Sequence, residues 1–198
     1  MPTYFDTLQR NFKDVSVDAN QDIDTTEFLE AAEGVVKMFD LLESTAFGVV
    51  QNDMTGNIVK IRTRQLENPD AGKTLQVIVL GEATGSKKTA TQALLWLTRG
   101  LHFTAVAMRR NLDNKEEELS SSFNKAYTET LSKYHSMLVR PVFKLAMKAC
   151  PWRKAFYEKL GDDLATVDEQ LDAWLTALEK IVKIIQDFLE SGNYAKGL

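Results

Sequence analysis

The segment TATQALLWLTRGLHFTAVAMRRN, Thr89 to Asn111, is the most apolar long stretch of the chain. Between Ala93 and Met108 the clearly polar residues are Thr98, Arg99, His102 and Thr104, and a single glycine stands at Gly100. A helix that is apolar nearly all round lies in the middle of a fold, with other elements packed around it. The segment therefore predicts a buried central helix.

Helical periodicity also dominates the segments before it. A first helix is predicted to open at Asp24, where an acidic N-cap followed by Glu27 suggests a capping box. A second helix is predicted from Asn52 to Leu66. The short apolar segment Thr74 to Glu82 contains Val77-Ile78-Val79, which favours a strand by local propensity, although a lone strand would have no partner.

The segments after the central helix are predicted to be helical as well. Glu116-Glu117-Glu118 is expected to open a helix, and Pro141 to interrupt or kink the pattern from Tyr134 to Cys150, with His135 at its opening. The last helix carries one continuous apolar stripe: Val167, Leu171, Trp174, Leu175, Leu178, Ile181, Val182, Ile185, Phe188 and Leu189. The pattern predicts one all-α domain over residues 1–198, with about eight helices.

Composition narrows the possible functions. The 198 residues carry 24 basic and 28 acidic side chains, a net charge of −4 that argues against nucleic-acid binding. One cysteine excludes an intrachain disulfide and fits a reducing compartment, and no secretory signal or membrane span is visible, so a cytoplasmic protein is expected. No phosphate-binding glycine loop or metal motif occurs, so neither metal nor cofactor is expected. A nucleophilic pair of Cys150 and His135 is an alternative, but a core cysteine is favoured.

Asp53, Asn57 and Lys60 form the one suggestive polar row, because their spacing places them on one face of the second helix. They are either a solvated face or a set of donors and acceptors for sugar hydroxyls; a phosphate suits them poorly, since Asp53 would repel it. Trp96 is either a core residue or a flat platform for a sugar ring.

These residues and their surroundings resemble the glycolipid transfer protein family, most of all its short fungal members. The matching blocks, in family-like order across about Thr25 to Leu189, are Asp53-Met-Thr-Gly-Asn57-Ile-Val-Lys60, Leu94-Leu95-Trp96-Leu97-Thr98-Arg99-Gly100-Leu101-x-Phe103, and His135 followed by Val139-Arg140-Pro141-Val142-Phe143. The resemblance implies a two-layer helical sandwich that carries one glycosphingolipid without catalysis.

The resemblance also implies roles for particular residues. Asp53, Asn57 and Lys60 would hold the sugar, Trp96 would stack on it, and Asp53 and His135 would bracket the ceramide amide. In the ceramide-1-phosphate branch of the family, the positions of Asn57 and Trp96 look cationic instead. This chain has an amide and an indole there. This sequence therefore falls on the glycolipid side.

Two further expectations concern the hydrocarbon chains and the membrane. Residues available to line an apolar pocket include Phe39, Phe47, Phe103 and Phe143, which otherwise are ordinary core. Met137 occupies a position that is typically aromatic and membrane-facing in the family, so Trp152 is the first candidate for transient membrane contact, beside a basic segment from Leu131 to Lys159. A glycolipid sensor without bulk transfer is the alternative function.

Overall fold

The computed structural model describes residues 2–198. Within that range the chain forms eight α-helices, and short 3-10 turns precede α1 and join it to α2. The helices are α1 (Thr25–Met38), α2 (Gly48–Glu67), α3 (Leu75–Ala83), α4 (Thr89–Asp113), α5 (Leu119–Glu129), α6 (Arg140–Lys148), α7 (Arg153–Leu160) and α8 (Leu164–Ser191). The prediction of an all-α fold is confirmed.

Helix α4 is the centre of the fold, as its apolar sequence predicts. It packs against α2, α3, α5 and α8. Leu97, Leu101 and Phe103 are completely shielded from solvent. Because apolar burial is the main favourable term in folding, this helix anchors the layers that pack on it.

The start of α4 is fixed by a buried carboxylate from the preceding helix. Glu82 of α3 accepts hydrogen bonds from the backbone amides of Ala90 (3.1 Å) and Thr91 (2.8 Å) and from the Thr91 hydroxyl (2.7 Å). The first amides of a helix have no partner within it, and an anion there also complements the helix dipole. Glu82 thus caps α4 in place of a residue of α4 itself.

Local signals for the first three helices are partly confirmed. Asp24 caps α1 by accepting from the Glu27 amide at 2.9 Å, but the Glu27 carboxylate accepts from the Ser16 amide, so the predicted capping box is only half formed. Helix α2 begins four residues before the predicted Asn52, directly after a 3-10 turn. The segment from Thr74 is helical, since tertiary packing overrides the strand propensity of its β-branched residues.

The region around Pro141 differs from the prediction. Helix α6 begins only at Arg140 and places Pro141 in its first turn, where the missing amide hydrogen costs nothing. His135 therefore does not open this helix; it lies in the turns before it. Likewise Glu116-Glu117-Glu118 lies before α5, and Glu118 is the N-cap residue of that helix.

The N-terminal segment is docked on the last helix. Trp174 of α8 is 1% exposed and contacts Phe5 and Phe12, with ring centroids 5.8 and 5.7 Å away. One continuous core thus includes side chains from Phe5 to Leu189. Among residues 2–198, no helix has both the length and the apolar character needed to cross a membrane.

Candidate functional site

The polar face of α2 is present as the sequence predicts. Asn57 is 5% exposed and donates from Nδ2 to Asp53 Oδ2 at 3.4 Å, whereas Asp53 and Lys60 lie open to solvent. Partial desolvation raises the pKa of Asp53, and the positive charge of Lys60 opposes that effect. The row therefore offers a carboxylate acceptor, an amide and an ammonium donor side by side.

A close contact between α2 and α4 brings this row near Trp96. A Cβ atom built on Gly100 would lie 3.5 Å from Met54 Cγ, so the two helices touch at this point. Trp96 precedes Gly100 by about one helical turn, and Asp53 and Asn57 lie within one turn of Met54. Because Gly100 has no side chain, Met54 fits against it. The polar row of α2 and the Trp96 indole of α4 therefore both lie next to the point where these two helices touch.

The indole of Trp96 is half-buried and is framed by three side chains. The His135 imidazole lies parallel to it, with ring centroids 5.9 Å apart and 11° between the planes. The Arg99 guanidinium lies 4.7 Å from the indole centroid and 3.7 Å from that of Tyr134. A guanidinium over an aromatic face is attracted to it, so Arg99 and Tyr134 help to hold Trp96 in place.

His135 is fixed from two sides. Its Nδ1 lies 3.0 Å from the Tyr127 hydroxyl, and its ring centroid lies 4.3 Å from that of Phe143. Burial lowers the pKa of His135, and the positive charges of Arg140 and Arg99 lower it further, so the imidazole is neutral near pH 7. A neutral imidazole has one donor and one acceptor nitrogen.

The loop that carries His135 is held by the first residue of α6. Arg140 Nε donates to the backbone carbonyls of Ser132 (2.9 Å) and His135 (3.0 Å). Charge-assisted hydrogen bonds of this kind are among the stronger ones in proteins. Arg140 thereby joins the loop that carries His135 to α6.

Four of the five predicted headgroup residues are therefore grouped in two contacting pairs, Asp53 with Asn57 and Trp96 with His135. Lys60 continues the α2 row outward and borders a groove of about 620 Å³ together with Thr63, Arg64, Ser86 and Lys87.

The sequence analysis did not identify Tyr134 as a partner of Arg99, or Tyr127 as a partner of His135. A tyrosine at a buried helical position gives no local signal that its hydroxyl faces a histidine eight residues later.

The predicted apolar-pocket residues are all buried. Phe39 and Phe47 stack with centroids 5.5 Å apart, and both pack edge-on against Phe123, as does Phe103. Phe143 lies apart from this aromatic cluster and stacks on Tyr127, directly below His135. The four side chains thus form core packing, with one of them linking the core to the polar site.

The predicted membrane-contact residues are among the most exposed apolar side chains. Met137 is 84% exposed and Trp152 is 75% exposed, and Leu138 and Leu145, which the sequence analysis did not single out, are 87% and 66% exposed. We call these four residues the apolar rim. Arg140, Lys144 and Lys148 of α6 are exposed as well, and in the sequence they lie between Leu138 and Trp152.

The geometry opposes a Cys150–His135 nucleophile. Burial raises the pKa of the Cys150 thiol to about 12, which disfavours the thiolate. The Nδ1 atom of His135 is engaged by Tyr127 rather than by a thiol.

Known proteins that are similar to this chain point to one family. A family profile described as "Glycolipid transfer protein (GLTP)" matches residues 23–162. The chain is 55% identical over 189 residues to a protein named glycolipid transfer protein from Aureobasidium melanogenum, covering 96% of this chain and 94% of that protein.

Solved structures are similar over nearly the whole chain. HET-C2, described as a fungal glycolipid transfer protein, matches with a TM-score of 0.93 and 48% identity, covering 98% of this chain and 100% of that one. FAPP2, described as selecting simple glycosphingolipids with the GLTP fold, matches with a TM-score of 0.89 and 32% identity, covering 98% and 97%. This likeness confirms the two-layer helical sandwich. The chain belongs to the glycolipid transfer protein family.

Proposed function

We propose that this chain is a non-enzymatic carrier that takes a glycosphingolipid from one membrane and delivers it to another. The observation that carries the proposal is the parallel pair of Trp96 and His135 beside the Asp53–Asn57 pair. An aromatic ring next to a row of hydrogen-bond donors and acceptors suits a sugar ring, which has an apolar C–H face and hydroxyls around its edge.

The polar residues divide the headgroup between them. Asp53, Asn57 and Lys60 bind sugar hydroxyls, Trp96 stacks on the ring, and Asp53 and His135 bind the ceramide amide. A carboxylate at this position repels a phosphate, which favours a neutral sugar headgroup over a phosphorylated one. The groove beside Lys60 offers room for sugars beyond the first.

The hydrocarbon chains are proposed to enter among the aromatic cluster formed by Phe39, Phe47, Phe103 and Phe123. Shielding a chain of about sixteen carbons from water is worth roughly 13 kcal/mol at about 0.8 kcal/mol per methylene. The bilayer already supplies that gain, so the pocket protects the chains in transit while the polar site selects the lipid.

The apolar rim and the neighbouring cations of α6 are proposed to make transient contact with the membrane surface. Tryptophan favours the interface, and each basic residue near an anionic surface contributes on the order of 1 kcal/mol. Such contact must stay weak, because the carrier has to leave again.

We further propose that residues 1–198 work as a single domain, in the reducing environment of the cytoplasm and without nucleic acid or cofactor. The continuous core from Phe5 to Leu189 and the free thiol of Cys150 support this.

Transfer between vesicles tests the function. Labelled glucosyl-, galactosyl- and lactosylceramide are compared with ceramide-1-phosphate and phosphatidylcholine in the same vesicles. We expect transfer of the three glycolipids and little of the other two. Preferred transfer of ceramide-1-phosphate would contradict the headgroup assignment, and saturable glycolipid binding without transfer would favour a sensor.

A further inference from the structure

Tyr127 is a buried tyrosine whose hydroxyl has a specific partner. It is completely shielded from solvent in α5, and its Oη lies 3.0 Å from Nδ1 of His135. Among residues 2–198, no other hydrogen-bond partner of this hydroxyl is present. Burial also raises the pKa of Tyr127, so the phenol keeps its proton at neutral pH.

The direction of this hydrogen bond follows from the need to satisfy a buried hydroxyl. If Nδ1 carried the hydrogen, the phenol oxygen would accept it and the phenol hydrogen would have nowhere to go. A buried donor without a partner is costly, so the phenol donates and Nδ1 accepts. Since the imidazole of His135 is neutral, its one hydrogen must then be on Nε2.

Nε2 of His135 makes no hydrogen bond to any residue in the described range 2–198, and the imidazole is only half-buried. The nitrogen that carries the hydrogen is therefore the one available to a ligand. An imidazole in this tautomer donates to a carbonyl oxygen, such as that of the ceramide amide; the opposite tautomer would present a lone pair to it.

We propose that Tyr127 is a positioning residue: its buried hydroxyl holds His135 in the Nε2–H tautomer, so that the histidine donates to the carbonyl of the lipid amide. The proposal rests on the proposed function, which makes His135 a headgroup ligand. Tyr127 itself touches no part of the lipid and acts only through His135.

Nitrogen-15 NMR of labelled imidazoles reads the tautomer directly. Spectra of the lipid-free protein at pH 7.5, assigned with His135→Gln, are expected to show a protonated Nε2 and an unprotonated Nδ1 for His135. In Tyr127→Phe the Nδ1 resonance is expected to shift towards that of a nitrogen without a donor. A hydrogen on Nδ1 in the parent protein would overturn the proposal.

Transfer of galactosylceramide measures the consequence. We expect Tyr127→Phe to slow transfer about fivefold. Tyr157→Phe is the matched control, because Tyr157 is also buried and its hydroxyl has no partner among the described residues. That control should stay within twofold of the parent.

A double substitution separates positioning from a structural role. Glutamine at position 135 donates from its own amide and has no tautomer to set, so we expect Tyr127→Phe to change transfer by less than twofold in the His135→Gln background. An equal loss in both backgrounds would show that Tyr127 only packs. Failure of the parent protein to transfer any glycolipid would overturn the proposed function itself; normal transfer by Tyr127→Phe would overturn this inference alone.

Discussion

The imidazole of His135 lies parallel to the indole of Trp96, with 5.9 Å between the ring centroids. One ring comes from the central helix and the other from the turns before α6. The proposed sugar platform and the proposed amide ligand are thus in direct contact. If both rings bind the lipid as proposed, a displacement of one ring also affects the other, so the sugar and the amide are recognised together.

Asp53→Val is expected to reduce glycolipid transfer at least tenfold. The change removes an acceptor for both the sugar and the amide, and each group left unpaired costs roughly 1–3 kcal/mol. Transfer between vesicles and far-ultraviolet circular dichroism are measured together, and the helical signal should not change. Asp162→Val, at an exposed position just before α8, is the control. Near-normal transfer by Asp53→Val would exclude this site.

Trp96 fluorescence is expected to respond to glycolipid vesicles and not to phosphatidylcholine vesicles. The measurement needs a background with Trp152→Phe and Trp174→Phe, so that only Trp96 emits. Trp96→Ala should abolish transfer with modest destabilisation, since the indole is only half-buried. A loss of unfolding free energy above about 3 kcal/mol would instead indicate a core residue.

Glycolipid binding is expected to weaken as pH falls through the titration of His135, below pH 6.5. Burial holds the pKa of His135 below its ordinary value of 6.5, so the neutral form still predominates at pH 6.5, and burial holds the pKa of Asp53 above 3.8. As pH falls, His135 gains a charge near Arg99 and Arg140, and Asp53 loses its own. The unfolded chain takes up the histidine proton first, so this residue also costs stability below pH 6.5. Binding titrations across pH, with His135→Gln as comparison, check this. A His135 midpoint above 6.5 would contradict it.

Trp152→Ala is expected to weaken binding to vesicles and slow transfer, while a short-chain soluble glycolipid still binds. The reason is that Trp152 lies directly before α7 and is not one of the proposed headgroup residues. Added salt should weaken docking on anionic vesicles by screening the cations of α6. If Trp152→Ala docks and transfers like the parent, Met137→Ala becomes the next variant, followed by Leu138→Ala and Leu145→Ala.

Glu82→Ala is expected to lower the free energy of unfolding by about 2 kcal/mol. The substitution removes the carboxylate that accepts hydrogen bonds from the buried amides at the start of α4. Urea titration measures this loss. Glu169→Ala is the control, because that carboxylate is exposed on α8. Equal stability of Glu82→Ala and the parent would show that the cap contributes nothing.

Helices could be predicted from the sequence wherever one face is strongly apolar, as in the central helix and in the stripe from Val167 to Leu189. The prediction was wrong where a local signal competed with long-range packing. Pro141 was expected to interrupt or kink a helical pattern from Tyr134 to Cys150, but it lies in the first turn of α6, because nothing in the local pattern shows that the residues before Arg140 form turns. The α3 segment is helical because its neighbours bury it, whatever its β-propensity.

The candidate site, like the fold, could be predicted only in part. The row on α2 follows from helical spacing alone, and the resemblance to a family added Trp96 and His135. The contacts of Tyr127 and Tyr134 with those rings were not predictable, since their partners lie on other elements or beyond a turn, where periodicity carries no information. Arg99 lies three residues after Trp96 on α4, so helical spacing places it near the indole, but its contact with Tyr134 forms only through tertiary packing.

The hydrogen bonds from Arg140 to the carbonyls of Ser132 and His135 close a short loop, and Met137 and Leu138 lie inside it. Among residues 2–198, the most exposed large apolar side chains, Met137 and Leu138, therefore lie in the same loop as the proposed amide ligand. A displacement of Met137 at a bilayer surface is therefore expected to shift the backbone of His135 as well. If the proposed membrane contact and the proposed amide contact both form, arrival at a membrane and release of the lipid involve the same loop.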